Sequence, residues 1–150
     1  MGLLPFYHIY GLAVLVFSLP IHRARVVTLP SFEPTSFLSA IQRYKMTNLH
    51  LVPPLAIFLA KHPLVDNYDL SSVRTLISGA APLGKDTEAA LSKRTGIFDI
   101  RQAYGLSEAS PMITMAPKGT KIRLLKKTKQ RKTDNEPTSC VYQITSVSQS

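Results

Sequence analysis

Between two apolar segments the chain reads RQAYGLSEAS, residues 101–110. Tyr104, Gly105, Ser107 and Glu108 bring an aromatic ring, a bare backbone position, a hydroxyl and a carboxylate into one short turn. A carboxylate just beyond a strand can project into a ligand cleft, where a divalent cation takes hard oxygen ligands. Glu108 can equally be a solvated loop acid, and spacing leaves both readings open. A second turn, SGAAPLG at 78–84, offers Gly79, Ala80 and Ala81. Glycine lets backbone approach a planar ligand, and two alanines keep that surface flat; small residues in a strand-to-helix turn also serve packing. His8 stands among Phe6, Tyr7 and Tyr10, which suits either a pocket wall or a core histidine with a satisfied ring.

These turns depend on the elements around them. RVVTLP (25–30) reads as a short buried strand. In the stretch that follows, Phe37, Leu38, Ile41 and Tyr44 recur at helical spacing behind Pro34-Thr35-Ser36. NLHLV (48–52) is again strand-like, and Pro53-Pro54 opens an apolar helix that Pro63 stops. VRTLIS (73–78) reads as a strand, KDTEAALSKRT (85–95) as a helix closed by Gly96, and IFDIRQAY (97–104) as the last strand. Alternation of this kind predicts an α/β fold: successive β-α-β units in a partial parallel sheet. Ligands of such sheets lie beyond the carboxyl ends of the strands. Both glycine-bearing turns are therefore expected on one edge.

The pattern changes near residue 118, which divides the chain into an ordered segment, 1–117, and a divergent basic tail, 118–150, expected to be disordered. Charge follows the same boundary. Ten Lys/Arg face seven Asp/Glu in the first part and eight face two in the second, giving +3 and +6 of the total +9. The run KGTKIRLLKKTKQRK is the place to look for nucleic acid or an anionic membrane, but its simple reading is a solvated tail, and nucleic acid is not the expected partner. The single cysteine, Cys140, excludes an intramolecular disulfide framework and gives no zinc pattern. LAVLVFSLP (12–20) has the apolarity of a signal-peptide core, yet no Lys or Arg precedes it. It is also short of the about 20 apolar residues that span a bilayer, so a buried element is expected. The Met-Gly start lacks the Ser or Thr of a myristoylation signal, having Phe6 there.

LPFYHIYGL, LHLVPPLAIFLAKHPLVDNYDLSSVRTLISGAAPLGK and RQAYGLSEASPMITMAPKG occur in that order over about Leu4 to Gly119. Together they resemble the middle of the adenylate-forming (AMP-dependent synthetase/ligase) superfamily, closest to 4-coumarate-CoA ligases, fatty acyl-CoA synthetases and beetle luciferases. The resemblance implies a partial AMP-binding domain over 1–117 and a two-step reaction. A carboxylic acid and ATP give an acyl-adenylate and pyrophosphate, and the thiol of coenzyme A then displaces AMP. Mg2+ is implied as the ion that offsets phosphate charge. By position, Gly79, Ala80, Ala81 and Pro82 match the strip along the adenine, and Tyr104 matches the ring packed on it, with Gln102, Ala103 and Gly105 lining the same slot. Ser107 stands where a threonine usually contacts the α-phosphate, Glu108 matches the acid that binds magnesium, and His8 matches the histidine near the substrate carboxylate.

Departures from the family are as informative. Ala103 replaces a common glycine, and IHRARVV lacks the glycine usual before the first clear strand. The family's phosphate loop, ribose-binding aspartate and lysine-bearing C-terminal domain have no counterpart in these 150 residues. A fragment without ligase turnover is the expectation, its alternative being a noncatalytic piece that docks on the full-length enzyme or another protein through exposed sheet edges. The chain ends Ser148-Gln149-Ser150, without the tripeptide of peroxisomal relatives, so cytoplasm is the default compartment.

Overall fold

Four strands form one sheet in the order β1-β2-β3-β4: β1 Asn48–Leu51, β2 Thr75–Ser78, β3 Asp99–Gly105 and β4 Met112–Met115. The computed structural model describes residues 1–17 and 21–117, so the expectation of a disordered basic tail over 118–150 lies outside the described residues. β1, β2 and β3 run parallel, with Asn48 opposite Thr75 and Thr75 opposite Asp99. The α/β expectation is thereby met, with one addition. β4 is antiparallel to β3, and the sequence reading had ended the sheet at Tyr104.

Of the four α-helices among the described residues, two join these strands. α1, Ile9–Gly11, is a single turn that runs into a π-helical stretch, Leu12–Phe17. α2, Pro34–Arg43, starts with Pro34, whose missing N–H costs nothing at a first helical position. Glu33 caps it, accepting hydrogen bonds from the Thr35 and Ser36 amides. The bonds from Ser36 and then Thr35 hold the Glu33 carboxyl down to about 2. α3, Pro53–Lys61, crosses from β1 to β2, and α4, Lys85–Thr95, crosses from β2 to β3. Gly96 ends α4 in the left-handed region at φ 71°.

Strand alternation sends Leu49, Leu51, Leu76, Ser78 and Ile100 to one face, where all are buried. That face joins Ala56 and Leu59 of α3, Leu91 of α4 and Phe37, Leu38 and Ile41 of α2 in one core. Phe32, Phe37 and Phe58 meet edge to face at centroid distances of 5.5, 5.4 and 6.3 Å, locking α2 to α3. Each such pair contributes roughly 0.5–1.5 kcal/mol beyond its buried area. Arg94 ties α4 to the end of α3, donating to both carboxylate oxygens of Asp66 at 2.9 and 2.7 Å and to the Ala60 carbonyl at 3.2 Å.

Local reading fails in three places, each for a physical reason. RVVTLP forms only a lone parallel bridge, Gly2 to Thr28, because Pro5 and Pro30 on either side have no amide with which to continue a ladder. Leu12–Phe17 buries Leu15 but leaves Val16 and Phe17 exposed, so the buried-element expectation holds for one residue. Tyr44, placed by periodicity on the buried stripe of α2, is 55 % exposed. The helix has ended at Arg43, and the Tyr44 ring instead lies 5.6 Å from the Arg43 guanidinium.

Leu76→Ala, at the centre of the sheet, is expected to cost about 2–5 kcal/mol in urea unfolding. Phe98→Ala, at a ring 84 % exposed, should stay within about 0.5 kcal/mol; equal costs would overturn this assignment of the core. The β3–β4 hairpin makes a separate prediction. A Cβ on Gly105 would sit 1.7 Å from the Pro111 carbonyl oxygen. Gly105→Ala should therefore cost about 1–3 kcal/mol and strip exchange protection from the β4 amides, whereas unchanged protection there would show the hairpin to be more accommodating than drawn.

Candidate functional site

Because β2 and β3 are parallel neighbours, the two turns singled out in the sequence leave the sheet at one edge. Ser78, the last residue of β2, pairs with Gln102, and β3 continues three residues farther to Gly105. The Gly79 amide still donates to the Leu51 carbonyl of β1 at 3.2 Å. The next residue, Ala80, turns at φ 71°, a left-handed conformation uncommon for a residue with a Cβ. Ala80, Ala81 and Pro82 are exposed, while Leu83 plugs back into the core.

Gln102 holds that turn. Its side-chain oxygen accepts from the Leu83 amide and its nitrogen donates to the Leu83 carbonyl, both at 2.9 Å. It also hydrogen-bonds the side chain of Glu88 in α4. Burial pushes the Glu88 carboxyl up, and the bond from Gln102 opposes that shift. Beyond Gln102, Ala103 is half-buried, and Tyr104, 57 % exposed, presents its ring at the open end of β3.

Ser107 and Glu108 lie on a single 3-10 turn, Ser107–Ala109, closed by hydrogen bonds from Ala109 to Leu106 and from Ser110 to Ser107 at 3.1 and 3.2 Å. Both side chains are exposed. The hydroxyl and the carboxylate thus stand free at the rim. Among the described residues no group of three or more His, Cys, Asp or Glu side chains forms a metal cluster. A lone carboxylate nonetheless fits magnesium, which is usually held by one or two carboxylates together with substrate phosphates.

His8 is exposed, and its Nδ1 accepts from the Tyr10 amide at 3.1 Å, capping α1. Its turn reaches the edge through Tyr10. A Cβ on Gly79 would meet the Tyr10 ring at 3.0 Å, so glycine there permits the contact. The Tyr10 ring also meets His50 edge to face at 6.5 Å. The Tyr10 hydroxyl and His50 Nδ1 are buried without hydrogen-bond partners among the described residues. Burial pushes the Tyr10 hydroxyl up to about 12 and the His50 imidazole down to about 4, the nearby α-amino charge adding to the latter. Sequence reasoning did not single out His50, although alternation in NLHL puts it opposite Leu49 and Leu51.

Comparison with known proteins places this edge in context. The AMP-binding enzyme family profile matches residues 1–140. A probable 4-coumarate-CoA ligase 1 of Dictyostelium discoideum is 49 % identical over 120 residues, covering 79 % of this chain and 22 % of that protein. Among solved structures, a red-emitting luciferase of Phrixothrix hirtus aligns with TM-score 0.67 at 36 % identity over 76 % of this chain and 21 % of its own. ATP-bound MatB of Rhodopseudomonas palustris aligns with TM-score 0.68 at 32 % identity over 77 % and 22 %. The chain thus spans about a fifth of the length of the curated relatives it matches. Three ordered motifs, the shared parallel sheet and a family match over most of its length together make this chain a member of the AMP-binding enzyme family, similar to the acyl-CoA ligases that form adenylates.

Proposed function

We propose that this polypeptide carries the adenine-facing edge of an ATP-dependent acid–thiol ligase and that, alone, it performs no ligase turnover. The observation that carries the reading is the meeting of Gly79–Pro82 and Gln102–Gly105 at the carboxyl ends of adjacent parallel strands. A flat strip of small residues on one side and the exposed Tyr104 ring on the other suit a planar base. Ser107 would offer its hydroxyl to the α-phosphate. Glu108 would hold Mg2+, the ion that offsets phosphate charge when ATP is bound. His8, on the turn that Tyr10 anchors to Gly79, would lie toward the carboxylic acid and the path of the coenzyme A thiol. The domain division proposed with this reading remains 1–117 for the partial AMP-binding domain and 118–150 for a basic appendage.

Absence of turnover follows from charge. Attack of a carboxylate on the α-phosphate, with pyrophosphate as the leaving group, needs preorganised donors and cations where charge develops, and losing one such donor lowers kcat by about 10²–10³. Arg101, next to Gln102, is spoken for: it donates twice to Asp99 at 2.9 and 2.8 Å.

A second reading, docking on the full-length enzyme or another protein, is favoured by one observation. The outer strands β1 and β4 have no second neighbour among the described residues, and Met112 and Ile113 on β4 are exposed.

Calorimetric titration of Mg2+-ATP into the purified 150-residue protein is expected to show saturable binding that weakens about ten-fold or more in Glu108→Ala, with no acid-dependent pyrophosphate release. Pyrophosphate turnover would overturn the claim of inactivity. Failure of a folded sample to bind nucleotide would shift the assignment to the docking fragment, which a pull-down against a full-length ligase then tests.

A further inference from the structure

We propose that Gln102 and Glu88 form a two-link brace that sets the Gly79–Leu83 turn against β3, so that Gln102 serves the nucleotide edge as a positioning residue and not by touching the nucleotide. The inference rests on the reading of that edge given above. It differs from the expectation that Gln102 lines the adenine slot directly.

Three observations carry it. Leu83 is 2 % exposed, so its backbone N–H and C=O must find partners inside the protein. The Gln102 carboxamide supplies both, presenting an acceptor and a donor to the backbone of one residue at 2.9 Å each, as a neighbouring strand would. The half-buried Glu88 carboxylate of α4 lies within its influence, and Gln102 opposes the upward push that burial gives that carboxyl. With its oxygen and one N–H committed to Leu83, the Gln102 amide is held to the turn and is not free to swing toward a base.

Direction agrees with bonding. Alternation puts Gln102 on the helix-covered face with Ile100 and Ser78, away from the face on which Tyr10 meets His50. The turn needs such a restraint. Ala80 holds a left-handed backbone that a residue with a Cβ keeps only when its surroundings impose it. The sheet ladder stops at Ser78, and Leu83 is where the chain is next fastened to β3.

The side chains required are narrow in type. Asparagine is one methylene too short to span the same gap. Glutamate keeps the length but lacks the N–H groups that reach the Leu83 carbonyl and Glu88. Glutamine at position 88 still offers Gln102 an acceptor; leucine there does not.

Hydrogen exchange at the Leu83 amide and Mg2+-ATP calorimetry on the full 150-residue chain test this together. Gln102→Leu and Gln102→Glu are expected to speed Leu83 exchange about ten-fold, the effect of losing roughly one hydrogen bond, and to weaken nucleotide binding by a similar factor, with the urea midpoint falling by no more than that lost bond accounts for. Glu88→Leu should reproduce part of both effects, and Glu88→Gln should restore them to within about two-fold of wild type. Wild-type Leu83 exchange in Gln102→Leu would overturn the brace. Faster exchange with unaltered nucleotide affinity would overturn its positioning role. A wild-type chain that binds no nucleotide would instead overturn the reading of the edge, while the exchange data still decide whether the brace exists. Should Gln102→Leu fail to fold, Gln102→Asn and Glu88→Leu give the same two readouts from milder changes.

Discussion

Parallel pairing of β2 with β3 is the constraint on which the rest of this structure depends. It aligns Ser78 with Gln102 and so brings the ends of both strands, and the turns that follow, to one edge of the sheet. Parallel neighbours cannot be joined by a tight hairpin, so α4 is required between them, as α3 is between β1 and β2. These crossovers cover one face with Ala56, Leu59 and Leu91 and leave the strands there no choice but leucine, isoleucine and a small residue. The chemistry-bearing residues sit where this arrangement runs out. Beyond Ser78 and Gly105 the backbone is released from the ladder, and its shape passes to side chains such as Gln102 and to the close approach of Gly105 to Pro111.

The opposite face has a different character. Thr75 donates to Asp99 across the β2–β3 pair at 2.9 Å, and Arg101 grips the same carboxylate two residues along β3. His50 and Ile77 complete this half-buried surface, which Tyr10 overlaps from the N-terminal turn. Its polar groups are joined laterally, strand to strand, so that much of their hydrogen bonding is met within the sheet. Tyr10 and His50 are the exception on this face, with a hydroxyl and a ring nitrogen buried and unpartnered among the described residues. A sheet with one leucine face and one mixed face explains why polar and apolar residues alternate in NLHL and TLIS and why β3 carries Asp99 and Arg101 on the face away from Ile100.

What was legible in the sequence is what local physics decides. Proline at the helix starts, Gly96 at the end of α4 and the alternation in NLHL and TLIS fix elements without reference to distant residues. β4 escaped because a 3-10 turn and a register shift at Tyr104/Gly105 separate Met112–Met115 from the strand it pairs with, and a short apolar run alone has no period. Tyr44 was misplaced because periodicity does not say where a helix stops. For the site, residue types marked both turns, yet the bonds of Gln102 to Leu83 and the contact of Tyr10 with Gly79 join segments far apart in sequence. The β-α-β alternation brought the two turns to one edge, but no spacing rule pairs Leu83 with Gln102 or Tyr10 with Gly79.

A site built this way divides orientation from acceleration. Gly79, the Ala80 turn, Tyr104 and the Gln102 brace are shape: they present flat surfaces at a fixed separation and change little in charge. Glu108 and Ser107, by contrast, are exposed on a short turn with no side-chain partner among the described residues, and a carboxylate alone repels phosphate until a cation joins it. The nearby cation in β3, Arg101, is neutralised by Asp99 and faces away from Gln102. Shape of this kind binds ground state and transition state about equally, which sets affinity without raising kcat. On the proposed reading, a segment that contributes an adenine-facing wall keeps nucleotide recognition without supplying the cations of the chemistry, and its own residues are under constraint from packing more than from the reacting atoms.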